Sequence, residues 1–166
     1  MSRAILQVRE SVEIHLMSGD FYFGDKNTRI TTVLGSCVSI AVWHPLLHIG
    51  AMSHSLLPCR GKNKPGSHHL DGLYIDDSIE LHLREISKRN TRPDEYQVKL
   101  FGGGNMFKHP REEKYFDIGG GNIQAARELL EAGGFMVNAE HVGGSGHRRI
   151  IFDLSDGSVL VKHESI

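Results

Sequence analysis

The sequence predicts an α+β fold, and three observations carry that expectation. Short β-branched runs recur along most of the chain, two longer segments repeat apolar residues at helical spacing, and glycine-rich turns separate them. At 166 residues the chain can bury one full core, and no repeat, low-complexity tract or linker divides it, so residues 1–166 read as a single domain.

Each element follows from local pattern. Val12, Ile14 and Leu16 alternate as a strand does, and the polar, aromatic stretch through Phe21, Tyr22, Phe23 and Asp25 is expected to be mobile. Two β-branched runs, 30–33 and 37–43, flank Leu34-Gly35-Ser36, and a third covers 49–57 beyond a turn at His44-Pro45. Residues 58–71 lack periodicity and read as an exposed loop. Ile75, Ile79, Leu83 and Ile86 then mark an amphipathic helix over 73–88. A strand at 96–101 runs into Gly102-Gly103-Gly104-Asn105, where glycine permits a tight turn. Asn122 offers an N-cap for a helix carrying Ile123, Ala126, Leu129 and Leu130, which stops at Gly133-Gly134. Strands are expected at 135–142, 148–154 and 158–162, the last two forming a hairpin across Ser155-Asp156-Gly157.

Composition narrows the function. An apolar fraction of 39% and a charged fraction of 23% are ordinary for a globular protein. Nineteen basic side chains nearly balance twenty acidic ones, so no overall positive field draws the chain to nucleic acid or an anionic membrane. No apolar run resembles a signal peptide or a span, which predicts a cytoplasmic protein without membrane insertion. Cys37 and Cys59 are too few for a disulfide framework, so reduced thiols are expected. The pair His68-His69, with Cys59 upstream, matches no zinc spacing and reads as a solvated loop feature, so no metal is assigned.

Cys37 stands at the junction of a turn and an apolar strand, just after Gly35 and Ser36, where backbone amides can face a reacting group. A thiol with a pKa near ~8.5 is only slightly ionised at neutrality, so a catalytic one needs a base nearby. His54 is the candidate, because the runs 37–43 and 49–57 can pair as neighbouring strands. Spacing alone, however, favours a buried cysteine and a hydrogen-bonded sheet histidine.

Longer motifs change that balance. Leu34-Gly35-Ser36-Cys37-Val38, His54-Ser55-Leu56-Leu57-Pro58 and the stretch from Lys99 through Gly102-Gly103-Gly104-Asn105 to Phe107 occur in this order. With Ile118-Gly119, Asn122-Ile123, Gly143-Gly144, Arg148-Arg149-Ile150 and Gly157-Ser158-Val159, they resemble the chemoreceptor glutamine deamidase family, CheD, over nearly the whole chain.

The resemblance implies an α/β/β/α layered domain, with two mixed β-sheets packed together and helices outside. It implies a protein-glutamine glutaminase that converts receptor glutamine to glutamate through a Cys37 thioester, with His54 as base and no metal or organic cofactor. The family pattern places a threonine six positions before the cysteine, at Thr31, to orient His54, with Thr32 the neighbouring alternative. Backbone amides around Gly35 and Ser36 would hold the oxyanion, and Gly102, Gly103 and Asn105 would shape the substrate face. Methyl-accepting chemoreceptors are the implied substrates and a CheC-type phosphatase acting on CheY an implied partner. An interaction module without catalysis, and a thiol amidase or methylesterase on another protein, are the competing readings. Two positions depart from the family: His147 where a small residue is usual, and Gly104 where alanine is common.

Overall fold

A computed structural model describes residues 10–60, 69–107 and 117–166. Its strands are β1 (Val12–His15), β2 (Phe21–Gly24), β3 (Thr28–Leu34), β4 (Val38–His44), β5 (Ile49–Ser53), β6 (Gln97–Gly102), β7 (Val137–Val142), β8 (His147–Asp153) and β9 (Val159–Glu164). The helices are α1 (Ile75–Lys88) and α2 (Ile118–Ala132), with a single 3₁₀ turn at Pro93–Glu95.

The strands form two mixed sheets. One has four strands in the order β1-β3-β8-β9, the other five in the order β2-β5-β4-β6-β7. Only β1 with β3 and β6 with β7 run parallel among the described strands. The expected hairpin forms, β8 pairing antiparallel with β9 from Phe152 opposite Val159 to His147 opposite Glu164.

Side-chain alternation along β4 explains why the sheets stack. All seven of its residues are buried, because both faces are covered. Ala41 and Trp43 point into a core shared with Ile30 and Leu34 of β3 and Ile150 and Phe152 of β8, which glues sheet to sheet. Val38, Ile40 and Val42 point the other way, into a second core with Ile75 and Ile79 of α1 and Ile123, Ala126 and Leu130 of α2. Both described helices therefore cover the outer face of the five-stranded sheet. Among the described residues the outer face of the four-stranded sheet carries no helix.

Three expectations change. The aromatic stretch Phe21–Gly24 is β2, an edge strand paired in register with β5 from Phe21 opposite Ser53 to Gly24 opposite Gly50. Its tyrosine and phenylalanines, the residues that made it look irregular, pack Phe21 and Phe23 on the helical core and Tyr22 on the core between the sheets. The run 49–57 breaks at Ser53. The second helix starts before Asn122: Asp117 caps it, its carboxylate accepting from the Gly120 amide at 2.8 Å, and Asn122 lies buried within the helix. Glycines in its first turn disguise that start, since glycine is a poor helix former. Gly119 is needed there, because a Cβ would come within 2.4 Å of the Gly103 carbonyl oxygen. The His68-His69 pair falls partly outside the described residues, at His68.

Candidate active site

The site lies where β5 ends. Beyond Ser53 the chain meets the start of β4 again through one bridge, the Val38 amide donating to Ser55 O at 3.0 Å and the Ser55 amide to Val38 O at 2.9 Å. Cys37 and His54 each lie one residue before a bridge partner, so in this antiparallel pairing they occupy diagonal positions on the same face. Cys37 is half-buried and His54 is 5% exposed.

His54 is held in one tautomer. The Thr32 hydroxyl donates to Leu16 O at 2.8 Å and stands 2.8 Å from His54 Nδ1. A hydroxyl has one hydrogen, so with that hydrogen on Leu16 the threonine oxygen accepts, and Nδ1 carries the ring proton. Nε2 is then the basic nitrogen, and it faces the Ser18 hydroxyl at 3.4 Å. Burial lowers the His54 pKa below its ordinary 6.5, while the Leu16 carbonyl and Asp20 pull it upward. Burial likewise raises the Cys37 thiol, opposed by a hydrogen bond from Ser18 and by its own backbone amide. Both shifts favour the uncharged forms, thiol and imidazole.

The threonine that meets His54 is Thr32, not the expected Thr31. On β3 the residues Thr28, Ile30, Thr32 and Leu34 face inward and their neighbours face outward. Thr31 therefore turns away from His54 and its hydroxyl meets His15 Nδ1 at 3.0 Å.

The turn that bears Cys37 is fixed from behind. Gly103 N donates to Cys37 O at 2.8 Å and Gly104 N to Gly35 O at 2.8 Å. Gly102 has φ +104°, and a Cβ there would sit 2.1 Å from Cys37 O. Gly102 and Gly103 are buried, so they support the Cys37 turn instead of forming an open substrate face as expected. Gly103 and the half-buried Asn105 do border a concavity of about 510 Å³ with Asp117, Ile123 and Gly143, which neither Cys37 nor His54 lines. The amides of Ser36 and Cys37 donate to no backbone carbonyl among the described residues.

Two residues that the sequence reading gave no part in the site join it. Asn122 donates from Nδ2 to both Ser36 O and Leu56 O at 3.0 Å, tying α2 to the segments that carry Cys37 and His54. Ser18 meets His54 Nε2 at 3.4 Å, and its hydroxyl is one of the groups that offset the burial of the Cys37 thiol. Its link to His54 spans 36 positions of sequence, and a serine after Leu16-Met17 carries no motif that would announce it.

The two family departures lie close together. Here a Cβ on Gly104 would come within 2.3 Å of Gly146 O, so the loop that precedes His147 occupies the space an alanine would need. His147 itself pairs across the ladder with Glu164 of β9, its Nε2 3.3 Å from that carboxylate.

Comparison with known proteins points to one family. Residues 56–163 match the family model described as CheD chemotactic sensory transduction. A protein of Dechloromonas aromatica named probable chemoreceptor glutamine deamidase CheD 3 is 47% identical over 89% of this chain and 85% of its own length. One of Pseudomonas syringae pv. tomato, named probable chemoreceptor glutamine deamidase CheD, is 42% identical over 94% of this chain and 92% of its own. A more distant relative in Leptospira interrogans, bearing the same name with the number 1, is 38% identical over 95% of this chain and 96% of its own.

Proposed function

The chain belongs to the CheD family, and on that premise we propose that it is a chemoreceptor glutamine deamidase with Cys37 as nucleophile and His54 as base. It hydrolyses glutamine side chains of methyl-accepting chemoreceptors to glutamate and ammonia. One observation carries the assignment of residues: the tautomer fixed by Thr32 leaves His54 Nε2 as the basic nitrogen, facing the Ser18 hydroxyl beside the Cys37 segment.

In the proposed reaction the Cys37 thiol loses its proton to His54 Nε2 as sulfur bonds to the carboxamide carbon. The amide C=O becomes an oxyanion, which the Ser36 and Cys37 amides receive. Imidazolium returns the proton to the nitrogen, the C–N bond breaks and ammonia leaves a thioester. His54 then takes a proton from water, whose oxygen attacks the same carbon. Collapse expels the Cys37 thiolate, which recovers that proton, and glutamate departs.

Exposed Met17, Met106 and Phe107 surround Ser18 and the Gly35-Ser36 turn, giving the site an apolar rim suited to a protein substrate. A CheC-type phosphatase bound to the same rim would compete with the receptor. Among the described residues no helix is long and apolar enough to cross a membrane, and we place the enzyme in the cytoplasm with the receptors' signalling helices.

The test is to incubate the protein with the cytoplasmic part of a cognate receptor and follow glutamine-to-glutamate conversion by peptide mass spectrometry. Wild type converts; Cys37→Ala and His54→Ala do not. Equal conversion by all three proteins removes the mechanism.

A further inference from the structure

Three consecutive carbonyls of the turn that bears Cys37 are held from inside the protein. Gly104 N donates to Gly35 O at 2.8 Å, Asn122 Nδ2 to Ser36 O at 3.0 Å and Gly103 N to Cys37 O at 2.8 Å. The N–H and C=O of a trans peptide point in opposite directions, and no peptide among the described residues is cis, so whatever holds a carbonyl also aims the amide of the next residue. Gly104 therefore aims Ser36 N–H, and Asn122 aims Cys37 N–H. The next amide along, Val38 N–H, is taken up in the sheet by Ser55 O at 3.0 Å.

Of the three donors only Asn122 is a side chain, and packing does not explain it. It is fully buried, and its Oδ1 has no hydrogen-bond partner among the described residues. An apolar residue chosen for shape alone would carry no such orphan. What the position uses is the NH2 group, which donates to Ser36 O and Leu56 O together and so ties α2 to the segments on which Cys37 and His54 lie. The helix comes close enough because Gly119, three residues earlier on the same face, lies against the Gly103 carbonyl.

We propose that Asn122 is a positioning residue for the deamidation: by holding Ser36 O it presents Cys37 N–H to the oxyanion that forms when sulfur adds to the glutamine carboxamide. This role rests on the reading in which the Ser36 and Cys37 amides receive that charge. The hydrogen bond acts in two ways. It fixes the plane of the Ser36–Cys37 peptide before substrate arrives, so no reorganisation of that peptide accompanies the developing charge. It also draws electron density toward Ser36 O, which strengthens the opposite N–H as a donor. No proton moves to or from Asn122 at any step.

Receptor deamidation and Cys37 alkylation by iodoacetamide, resolved from Cys59 by peptide mass spectrometry, are measured on the same proteins. Deamidation builds an oxyanion, whereas alkylation displaces iodide from carbon and builds none. Asn122→Leu is expected to lower kcat by about a hundredfold, the effect of one lost oxyanion donor, with KM little altered. Its alkylation slows by less than about tenfold, because the turn loosens but keeps its thiol. Asn122→Ala carries the same expectation with less bulk. Leu130→Ala, which weakens the core under the same helix away from both carbonyls, lowers Tm and keeps both rates. Alkylation of Asn122→Leu at the wild-type rate, a loss of kcat no larger than the loss of alkylation, or an equal loss of kcat in Leu130→Ala overturns the positioning role. If Cys37→Ala is inactive in that event, the deamidase mechanism stands and only the role of Asn122 falls. If Cys37→Ala deamidates as wild type does, the mechanism falls and takes the role of Asn122 with it.

Discussion

At the scale of residues, adjacent threonines on one strand do different work because strand geometry sends them to opposite faces. Thr32 fixes the tautomer of His54, whereas Thr31 reaches only the exposed His15. Thr32→Val keeps the shape but loses the acceptor, and is expected to lower kcat/KM by about tenfold, while Thr31→Val stays within about twofold. Steady-state deamidation kinetics on the two variants decide the matter, and the reverse order would return the orienting role to Thr31. The pH profile tests the pair itself. His54 must be neutral to act and its pKa lies below 6.5, so activity holds as pH falls to 6.5 and is lost only beneath it. The thiol lies above 9.0, so the alkaline limb begins beyond that value. An acid midpoint above 6.5 in kcat/KM would contradict this environment for His54.

At the scale of elements, α2 does more than cover the sheet. From its second turn Asn122 reaches two carbonyls on separate segments, one beside Cys37 and one beyond His54. Asn122→Leu leaves both buried acceptors without that donor, and is expected to cost about 2 kcal/mol, or roughly 5 °C in Tm. Cys37 alkylation should slow as well, because the Ser36 carbonyl is no longer held. Calorimetry and the alkylation rate measure both; an unchanged alkylation rate at a lowered Tm would make Asn122 purely structural. The same helix shows where sequence legibility ended. Apolar spacing at Ile123, Ala126 and Leu130 revealed the element, but its glycine-rich first turn resembled a loop, so Asn122 was read as a cap. β2 failed similarly, because an edge strand lined with aromatics lacks the alternation that identified β1. Cys37 and His54 stood out because motifs surround them, and Ser18 did not, because its contact with His54 exists only once β1 and β5 have brought residues 18 and 54 together.

At the scale of the whole molecule, the layer between the five-stranded sheet and its helices carries a titration that governs stability in acid. His82 of α1 is fully buried, its ring edge-on to Phe21 of β2 at 4.8 Å, and neither ring nitrogen has a partner among the described residues. Burial alone pushes its pKa down to about 3 from an ordinary 6.5. Unfolding releases a histidine that binds a proton below 6.5, so between 6.5 and about 3 the unfolded chain holds more protons than the folded one. Stability is therefore complete above the unfolded pKa and falls as pH drops through that window, by an amount on the order of a few kcal/mol. His54 adds to the same slope, since its pKa is lowered too, whereas Asp153 and Glu140, held below 3.8 and 4.5, contribute only in stronger acid. The variant His82→Leu isolates the contribution of the helical layer, because leucine fills an apolar site without titrating. Denaturant titrations at neutral pH and near pH 5 should give wild type a larger loss of unfolding free energy than His82→Leu. Parallel losses in the two proteins would mean that His82 is protonated within the fold, which would require solvent to reach the layer between α1 and β2.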